Sequence, residues 1–269
     1  MSNPILYYDE LEDIYSQYDD AQLIYLIGFP ALGKSTSLRN LPPENTYIFN
    51  VEGKHLPMPL AAGLKKDTKG DGSEGNIQRV NDYTKISKAL RELKKREEIK
   101  FVIIDDGTYL MTAEFMSKIN VKGYDKFNQM AGNMWDLLHK LKDRLRPDQK
   151  AIFIGHMETD PEEGTKMNMK TTGKLTREKL DTEGLTSTIL VPAVDRERNE
   201  DKSSYFFYTQ SDGVVPARSL MGMYPYKVKN DLLPLLNRMD EYFKGVSLEN
   251  SKINLEPDEV GKAKTAVIR

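Results

Sequence analysis

The feature that most constrains this chain is a loop motif close to its amino terminus. Residues 28–35 match the pattern G-x-x-x-x-G-K-[ST] at every fixed position. An apolar run of strand length precedes the motif at residues 23–27, and residues 35–41 have the pattern of a helix that Pro42 and Pro43 end. Backbone N–H groups in such a loop, together with the helix dipole, favour negative charge. The motif therefore predicts a site for the phosphates of a nucleotide.

The two residues that end the motif have distinct expected roles. Lys34 is expected to reach the β- and γ-phosphates of ATP, and the Ser35 hydroxyl is expected to ligate Mg²⁺. The alternative is a glycine-containing turn with an unrelated lysine, which the flanking strand and helix patterns disfavour. The residues expected to bind ATP are Gly28, Phe29, Pro30, Ala31, Leu32, Gly33, Lys34, Ser35 and Thr36.

The composition excludes several other classes of protein. The chain has 269 residues and contains no cysteine, which excludes disulfides, thiolate zinc sites and cysteine nucleophiles. No apolar run approaches the roughly 20 residues needed to cross a bilayer, and the first residues lack the pattern of a signal peptide. We therefore expect a cytoplasmic protein with no membrane partner. Because the net charge is −2, any nucleic-acid binding must use a local basic patch.

Strand and helix patterns alternate along most of the chain. They predict one α/β domain with a mainly parallel central sheet, helices on both faces and a C-terminal antiparallel extension. The expected strands are residues 22–27, 46–51, 101–104, 151–155, 189–191 and 205–208. The expected helices after the motif are one capped by Asn81 or Asp82, one at 125–146 and one at about 229–243.

The remaining segments set the expected limits of the domain. Residues 1–20 are expected to form an acidic arm, residues 21–245 the nucleotide-binding domain, and residues 246–269 a loose tail. Residues 52–76 are rich in glycine, proline and lysine, which predicts a long surface loop. We further expect Trp135 to pack against the core and Pro192 to lie at a sheet edge or a bulge.

Two acids directly follow the apolar strand 101–104. Such a strand brings Asp105 to the sheet edge where the phosphate loop lies, so Asp105 is expected to hold the Mg²⁺ ion. The alternative is an aspartate that caps the next helix, a role that Thr108 can also fill.

Hydrolysis needs a group that orients or deprotonates water, and two residues are candidates. Glu52 follows strand 46–51, and Asp106 follows the metal-binding aspartate. The alternatives are a salt bridge between Glu52 and Lys54, and a helix N-cap for Asp106. His156, at the end of strand 151–155, is expected to sense the γ-phosphate or to be an ordinary loop residue.

These motifs, in this order and spacing, resemble those of RecA-like ATPases over about residues 21–245. They resemble more narrowly the small phage recombinases of the Sak single-strand annealing group. The resemblance implies a DNA-dependent ATPase of phage origin, acting in host cytoplasm as a ring or filament of identical subunits. It also implies single-stranded DNA as a partner, with a single-stranded DNA-binding protein as a further one.

The resemblance also suggests roles for single residues. The stretch from Tyr47 to Gly53 resembles the strand that ends in the family's catalytic glutamate, which favours Glu52 over Asp106. Residues 211–219 resemble a late hairpin in which a basic residue, here Arg218, reaches the γ-phosphate of the neighbouring subunit. An arginine in that position accelerates hydrolysis by about 10³–10⁵-fold.

A basic segment downstream of His156 is the expected DNA-binding loop. The alternatives are a solvated surface of mixed charge, because acids precede the segment, and a second basic cluster at Lys65, Lys66 and Lys69. The residues expected to contact DNA are Lys166, Lys170, Lys174, Arg177 and Lys179.

Three other functions fit the same nucleotide motif. One is a different oligomeric ATPase, such as a helicase loader or packaging motor. A second is a small-molecule kinase, which would need a mobile arginine-rich lid, whereas the pattern places Arg196 and Arg198 in a hairpin turn. A third is a binding module with no turnover.

Overall fold

A mixed β-sheet organises the residues that the computed structural model describes, which are 20–57, 60–159, 164, 166–172, 182–196 and 203–257. Its strands are β1 (Gln22–Gly28), β2 (Thr46–Asn50), β3 (Ile77–Arg79), β4 (Phe101–Asp105), β5 (Lys150–Thr159), β6 (Met167–Met169), β7 (Thr188–Arg196), β8 (Ser203–Tyr208) and β9 (Lys227–Lys229). The helices are α1 (Leu60–Gly63), α2 (Tyr83–Leu93), α3 (Tyr109–Ser117), α4 (Asp125–Asp143) and α5 (Leu232–Phe243).

The strand order is β3-β2-β4-β5-β1-β7-β8-β9, with β6 paired to β5. The pairs from β3 through β7 are all parallel. The antiparallel pairs are β7 with β8, β8 with β9, and β5 with β6. Because β5 lies between β1 and β4, the carboxyl ends of these three strands meet at one sheet edge.

Alternate residues of the central strands pack on opposite faces of the sheet. Tyr25 and Ile27 of β1 belong to the core beneath α2, α3 and α4, whereas Ile24 and Leu26 belong to the core beneath α1 and α5. A strand that is buried on both faces is typical of a parallel sheet between two helical layers. The predicted α/β fold with a mainly parallel sheet, helices on both faces and a C-terminal antiparallel extension is confirmed.

The segment after the phosphate motif differs from the predicted helix. It forms a 3₁₀ turn over Ser35–Leu38 and not a helix to residue 41. Leu38 and Leu41 are both buried, and the Arg39 guanidinium donates to the Asn230 carbonyl over 2.6 Å. These tertiary contacts draw the chain towards α5 and end the turn before Pro42.

The described parts of the segment 52–76, which are residues 52–57 and 60–76, contain more regular structure than the long surface loop predicted for them. It contains α1, and Lys66 forms a parallel bridge with Ile77. The buried carboxylate of Asp67 accepts hydrogen bonds from the Tyr47 hydroxyl at 2.6 Å and from the Gly70 and Gly72 amides at 2.7 and 2.8 Å. One buried acid therefore organises the turn that follows it.

Three smaller expectations have mixed outcomes. The cap of α2 is confirmed, because the Asp82 side chain accepts hydrogen bonds from the Thr84 and Lys85 amides. The prediction that Trp135 packs against the core is wrong, because Trp135 is 50% exposed and its ring lies against that of His139. The expectation that Pro192 lies at a sheet edge is wrong, because β7 is an interior strand between β1 and β8. Pro192 pairs with Phe207 of β8 and lies beyond Leu190, the last β7 residue that pairs with β1.

Most of the predicted acidic arm (1–19) and the last residues of the predicted tail (258–269) lie outside the described residues. Among the helices that the structure does describe, every one is too short or too polar to cross a lipid bilayer.

Candidate nucleotide-binding site

The phosphate motif forms a tight loop at the carboxyl end of β1. Ala31 and Gly33 have positive φ angles of +62° and +83°, which bend the chain back between β1 and the 3₁₀ turn. The Lys34 ammonium donates to the carbonyl oxygens of Gly28 and Phe29, each over 2.8 Å. The lysine is thus fixed against the backbone of its own loop and is only 7% exposed.

Different steric constraints require glycine at the two glycine positions of the motif. A Cβ atom on Gly28 would lie 2.6 Å from Cγ of Pro192, a distance that no side chain tolerates. A Cβ atom on Gly33 would lie 3.2 Å from the Asn230 amide nitrogen and 3.3 Å from the Tyr205 ring, in addition to its positive φ. The antiparallel extension therefore packs directly against the loop, and only glycine lets it approach.

The two expected metal ligands are in contact although they lie 70 residues apart in the chain. The Ser35 hydroxyl donates to a carboxylate oxygen of Asp105 over 3.1 Å, and Asp105 is 2% exposed. Burial, and then the neighbouring charge of Asp106, raise the pKa of Asp105 to about 6. A buried carboxylate that resists ionisation gains from a bound cation.

Ser35 and Asp105 fit a Mg²⁺ ion only if other groups complete its coordination. Mg²⁺ demands six oxygen ligands and usually keeps several waters and substrate phosphates. Among the residues that the structure describes, no cluster of three or more histidine or carboxylate ligands exists. A hydroxyl and a carboxylate beside a phosphate loop are therefore suited to a metal that arrives with a nucleotide.

Four charged groups converge at this edge of the sheet. Burial lowers the pKa of Lys34 to about 8, while the charges of Asp106 and Asp105 oppose the fall and that of Lys54 adds to it. The cluster thus places two lysines against two aspartates. Such a balance of charge is well suited to accept a polyphosphate and its metal.

Asp106 is held between two basic side chains. Its oxygens lie 2.5 Å from the Lys54 ammonium and 3.2 Å from Nε2 of His156. Burial opposes ionisation of Asp106, but the hydrogen bonds from His156 and Lys54 outweigh it and keep its pKa below the usual value. The alternative helix-cap role does not fit, because Thr108 and not Asp106 occupies the N-cap position of α3, although the Thr108 side chain makes no capping hydrogen bond.

His156 lies inside β5 and not beyond it, because β5 continues to Thr159. It pairs in register with Gly28 of the phosphate loop. Its amide donates to the Thr108 hydroxyl over 3.3 Å, and its carbonyl accepts the Lys170 amide over 2.8 Å. His156 therefore joins the phosphate loop, Asp106 and the β5–β6 hairpin, an arrangement that fits the expected sensor.

Glu52 has an open carboxylate. It is exposed beside a cavity of about 370 Å³ that Arg79 and Asn81 also line. Across the described part of the chain, no hydrogen bond or ion pair ties Glu52 to another residue, and the alternative salt bridge with Lys54 is wrong because Lys54 pairs with Asp106. Asn50, at the end of the same strand, pairs with Asp105 in register, so Glu52 lies at the same sheet edge as the expected metal ligand.

Arg218 lies away from the phosphate loop of its own chain. Its backbone forms a bridge with Ile189, which lies opposite Tyr25 of β1. It lines a cavity of about 540 Å³ together with Gln22 and Leu23, at the amino end of β1, whereas the phosphate loop follows the carboxyl end. The exposed guanidinium therefore belongs to the opposite side of the subunit.

The expected DNA-binding residues are only partly described. Lys166 and Lys170 flank β6 and are exposed. The Met167 amide donates to the Val214 carbonyl over 2.9 Å, which ties this hairpin to the segment that leads to Arg218. Lys174, Arg177 and Lys179 lie outside the described residues.

Sequence reasoning missed the role of Lys54 in this cluster. Lys54 contacts Asp106 and lies 5.3 Å from the centre of the Tyr109 ring. The available signal was its position directly after Glu52 and Gly53, at the carboxyl end of β2. The sequence offered no sign that the Lys54 side chain would pair with Asp106 and not with Glu52.

Comparisons with known proteins give only distant likenesses. No family model and no curated protein matches the chain. Among solved structures, a KaiC-like protein, PH0186, from the hyperthermophilic archaeon Pyrococcus horikoshii OT3 is similar, with 14% identity, a TM-score of 0.37, and coverage of 71% of this chain and 79% of that one.

A DnaB-like replicative helicase, solved in a study of its interactions with primase, is similar with 14% identity and a TM-score of 0.41. The match covers 71% of this chain but only 54% of the helicase chain, about half its length. At these identities and TM-scores neither likeness assigns a function, so the functional conclusion depends on the geometry of the site.

Proposed function

We propose that this chain is a RecA-like ATPase that binds ATP at residues 28–36, with Mg²⁺ at Ser35 and Asp105, and hydrolyses the bond between the β- and γ-phosphates. The observation that carries the proposal is the hydrogen bond from Ser35 to Asp105 beside the buried ammonium of Lys34. Lys34 then binds the β- and γ-phosphates, and Ser35 and Asp105 hold the metal. We assign this activity to a domain of residues 21–245, with an arm before it and a tail after it.

Glu52 is the residue that we propose activates the attacking water. Its carboxylate is open to solvent at the sheet edge that carries Asp105. Asp106 is less suited to accept a proton, because Lys54 and His156 both stabilise its ionised form. Asp106 and His156 instead connect the γ-phosphate to the β5–β6 hairpin.

Arg218 is proposed to act on the ATP of a neighbouring subunit. The supporting observation is its position at the opposite side of the subunit from its own phosphate loop. Ile189 lies opposite Tyr25, and Gly28 is three positions further along β1, roughly 10 Å away at the usual rise of a strand. A catalytic guanidinium must touch the transferring phosphoryl group, so Arg218 requires a ring or filament of subunits.

Single-stranded DNA is the proposed partner of the assembly. Lys166 and Lys170 are exposed on the hairpin whose backbone contacts His156, so nucleotide state and DNA contact share one strand pair. Weak basic patches add along a strand when many subunits bind it. A role in recombination or annealing, a phage origin and a single-stranded DNA-binding protein as partner are proposed from the family resemblance.

Single-stranded DNA is expected to stimulate ATP hydrolysis, and the stimulation is expected to fade between 50 and 200 mM salt because phosphate contacts release counterions. Lys170→Glu should weaken the stimulation, whereas Lys252→Glu, the same charge change on the exposed segment after α5, should not. The measurement is phosphate release with and without DNA. Stimulation by duplex alone would favour a packaging motor, and phosphate transfer to a nucleoside would favour a kinase.

Mixed assemblies test the role of Arg218. Arg218→Ala and Glu52→Gln should each be inactive alone, with losses of roughly 10³-fold or more for the arginine. A mixture should recover part of the activity, because a Glu52→Gln subunit supplies Arg218 to an intact site on its neighbour. Recovery is measured as ATP turnover against the mixing ratio. A mixture as inactive as its components would mean that Arg218 does not act between subunits.

A further inference from the structure

Lys54 is the one member of the charge cluster to which the proposed mechanism assigns no role. Its ammonium lies 2.5 Å from Asp106, and 56% of its side chain is exposed, against 8% for the side chain of its partner. The lysine therefore reaches from solvent into the cluster. A buried partner and an exposed stem leave the ammonium able to move while Asp106 stays fixed.

The backbone of Lys54 is anchored although its side chain is exposed. The Asn50 side-chain amide donates to the Lys54 carbonyl over 2.7 Å, and its oxygen accepts the Lys54 amide over 3.1 Å. Asn50 is 6% exposed and pairs with Asp105 in register. Gly53, at a positive φ of +66°, makes the turn between them. The root of the lysine is thus fixed relative to the residue that holds the metal.

Lys54 also lies close to the phosphate loop. Asp106 directly follows Asp105, which accepts the hydrogen bond of Ser35 in the loop. His156, the other partner of Asp106, pairs in register with Gly28 at the start of the loop. An ammonium that can reach Asp106 is therefore at the edge where the end of a bound triphosphate would lie.

We propose that Lys54 is a second phosphate-binding lysine, which leaves Asp106 to bind the γ-phosphate of ATP in its own subunit. This inference depends on the proposed nucleotide site. A lysine has three donors on a flexible stem, so it can exchange one anionic partner for another. Because ADP has no γ-phosphate, Lys54 stays on Asp106 in the ADP state. Lys54 thereby distinguishes ATP from ADP and alters the surroundings of Asp106 and His156.

The competing interpretation is structural: Lys54 only neutralises the charge of Asp106. The two interpretations differ in what they predict for the two nucleotides. A neutralising lysine affects ATP and ADP alike, and it becomes dispensable once Asp106 is uncharged. A lysine that binds the γ-phosphate affects ATP selectively, whatever stands at position 106.

The test measures dissociation constants for a non-hydrolysable ATP analogue and for ADP, both with Mg²⁺. We expect Lys54→Met to weaken the ATP analogue by roughly tenfold to a hundredfold and ADP by less than about twofold, the size expected for one charged hydrogen bond. Lys54→Arg should keep most of the preference. The matched control is Lys95→Met, which removes a lysine from an exposed ion pair with Glu92 on α2 and should change neither constant.

A double variant separates the two interpretations further. The double variant of Lys54→Met and Asp106→Asn should still bind the ATP analogue weakly. Recovery of wild-type ATP affinity in the double variant, or equal losses for both nucleotides in Lys54→Met, overturns the inference and leaves the proposed ATPase intact. A wild-type chain that binds neither nucleotide overturns both.

Discussion

Asp105→Asn is expected to make the nucleotide-free protein more stable at pH 8 while it removes Mg²⁺-dependent ATP turnover. Asp105 is 2% exposed, and its pKa is raised to about 6 by burial and by the charge of Asp106. An acid whose pKa is higher in the folded state stabilises the fold below its unfolded pKa of 3.8, and that stability is lost as the pH rises through 6. At pH 8 the buried carboxylate therefore opposes folding.

Asparagine removes this cost and keeps the oxygen that accepts the Ser35 hydroxyl. We expect an increase of about 1–3 kcal/mol in the free energy of unfolding at pH 8, and little increase near pH 4. Turnover should fall by roughly 10²-fold or more, because an amide oxygen is a weak ligand for a hard cation.

Urea denaturation at pH 8 and pH 4, without nucleotide or Mg²⁺, measures the stability, and phosphate release measures the turnover. Asp148→Asn is the matched control, since Asp148 is a surface carboxylate that forms ion pairs with Lys100 and Arg146. It should gain no stability and keep its turnover. A less stable Asp105→Asn protein, or one that still hydrolyses ATP at the wild-type rate, would contradict the role assigned to Asp105.

Lys34→Met is expected to weaken nucleotide binding strongly without unfolding the chain. Methionine has a similar length and suits the buried site, where the lysine ammonium already has its pKa lowered to about 8 by burial. The variant loses the charge that binds the β- and γ-phosphates, so kcat/KM should fall by roughly 10²–10³-fold.

Fluorescence titration with a labelled ATP analogue and steady-state phosphate release measure this effect. Circular dichroism and the unfolding midpoint show whether the variant is folded. Lys95→Met is again the matched control. If folded Lys34→Met protein bound and hydrolysed ATP like the wild type, the nucleotide site would lie elsewhere.

The parts of the site that could be predicted from the sequence are those encoded locally. The phosphate motif has fixed spacing, and β1 and β4 are short apolar runs that end in the loop and in Asp105. The motif requires a glycine at position 28. The steric reason for that glycine could not be predicted, because Pro192 approaches it from a strand far along the chain.

The parts that could not be predicted depend on strand order. Sequence patterns do not say that β5 lies between β1 and β4, and this order brings His156 beside both Gly28 and Asp106. The contact of Lys54 with Asp106 joins residues 52 positions apart for the same reason.

Other failures come from tertiary contacts that outweigh local pattern. The segment after the loop has a helical pattern but forms only a 3₁₀ turn, whose Leu38 is buried in the same core as α5 and whose Arg39 bonds to Asn230 just before that helix. Trp135 lies on the same helix as the buried stripe of α4, yet it projects from the other side and stays half exposed.

The most direct test of the central claim is a crystal structure of the wild-type chain with Mg²⁺ and a non-hydrolysable ATP analogue. We expect the β- and γ-phosphates in the loop of residues 28–35, with Lys34 on them and the metal between Ser35 and Asp105. A nucleotide bound at any other place, or a metal that contacts neither Ser35 nor the surroundings of Asp105, would contradict it.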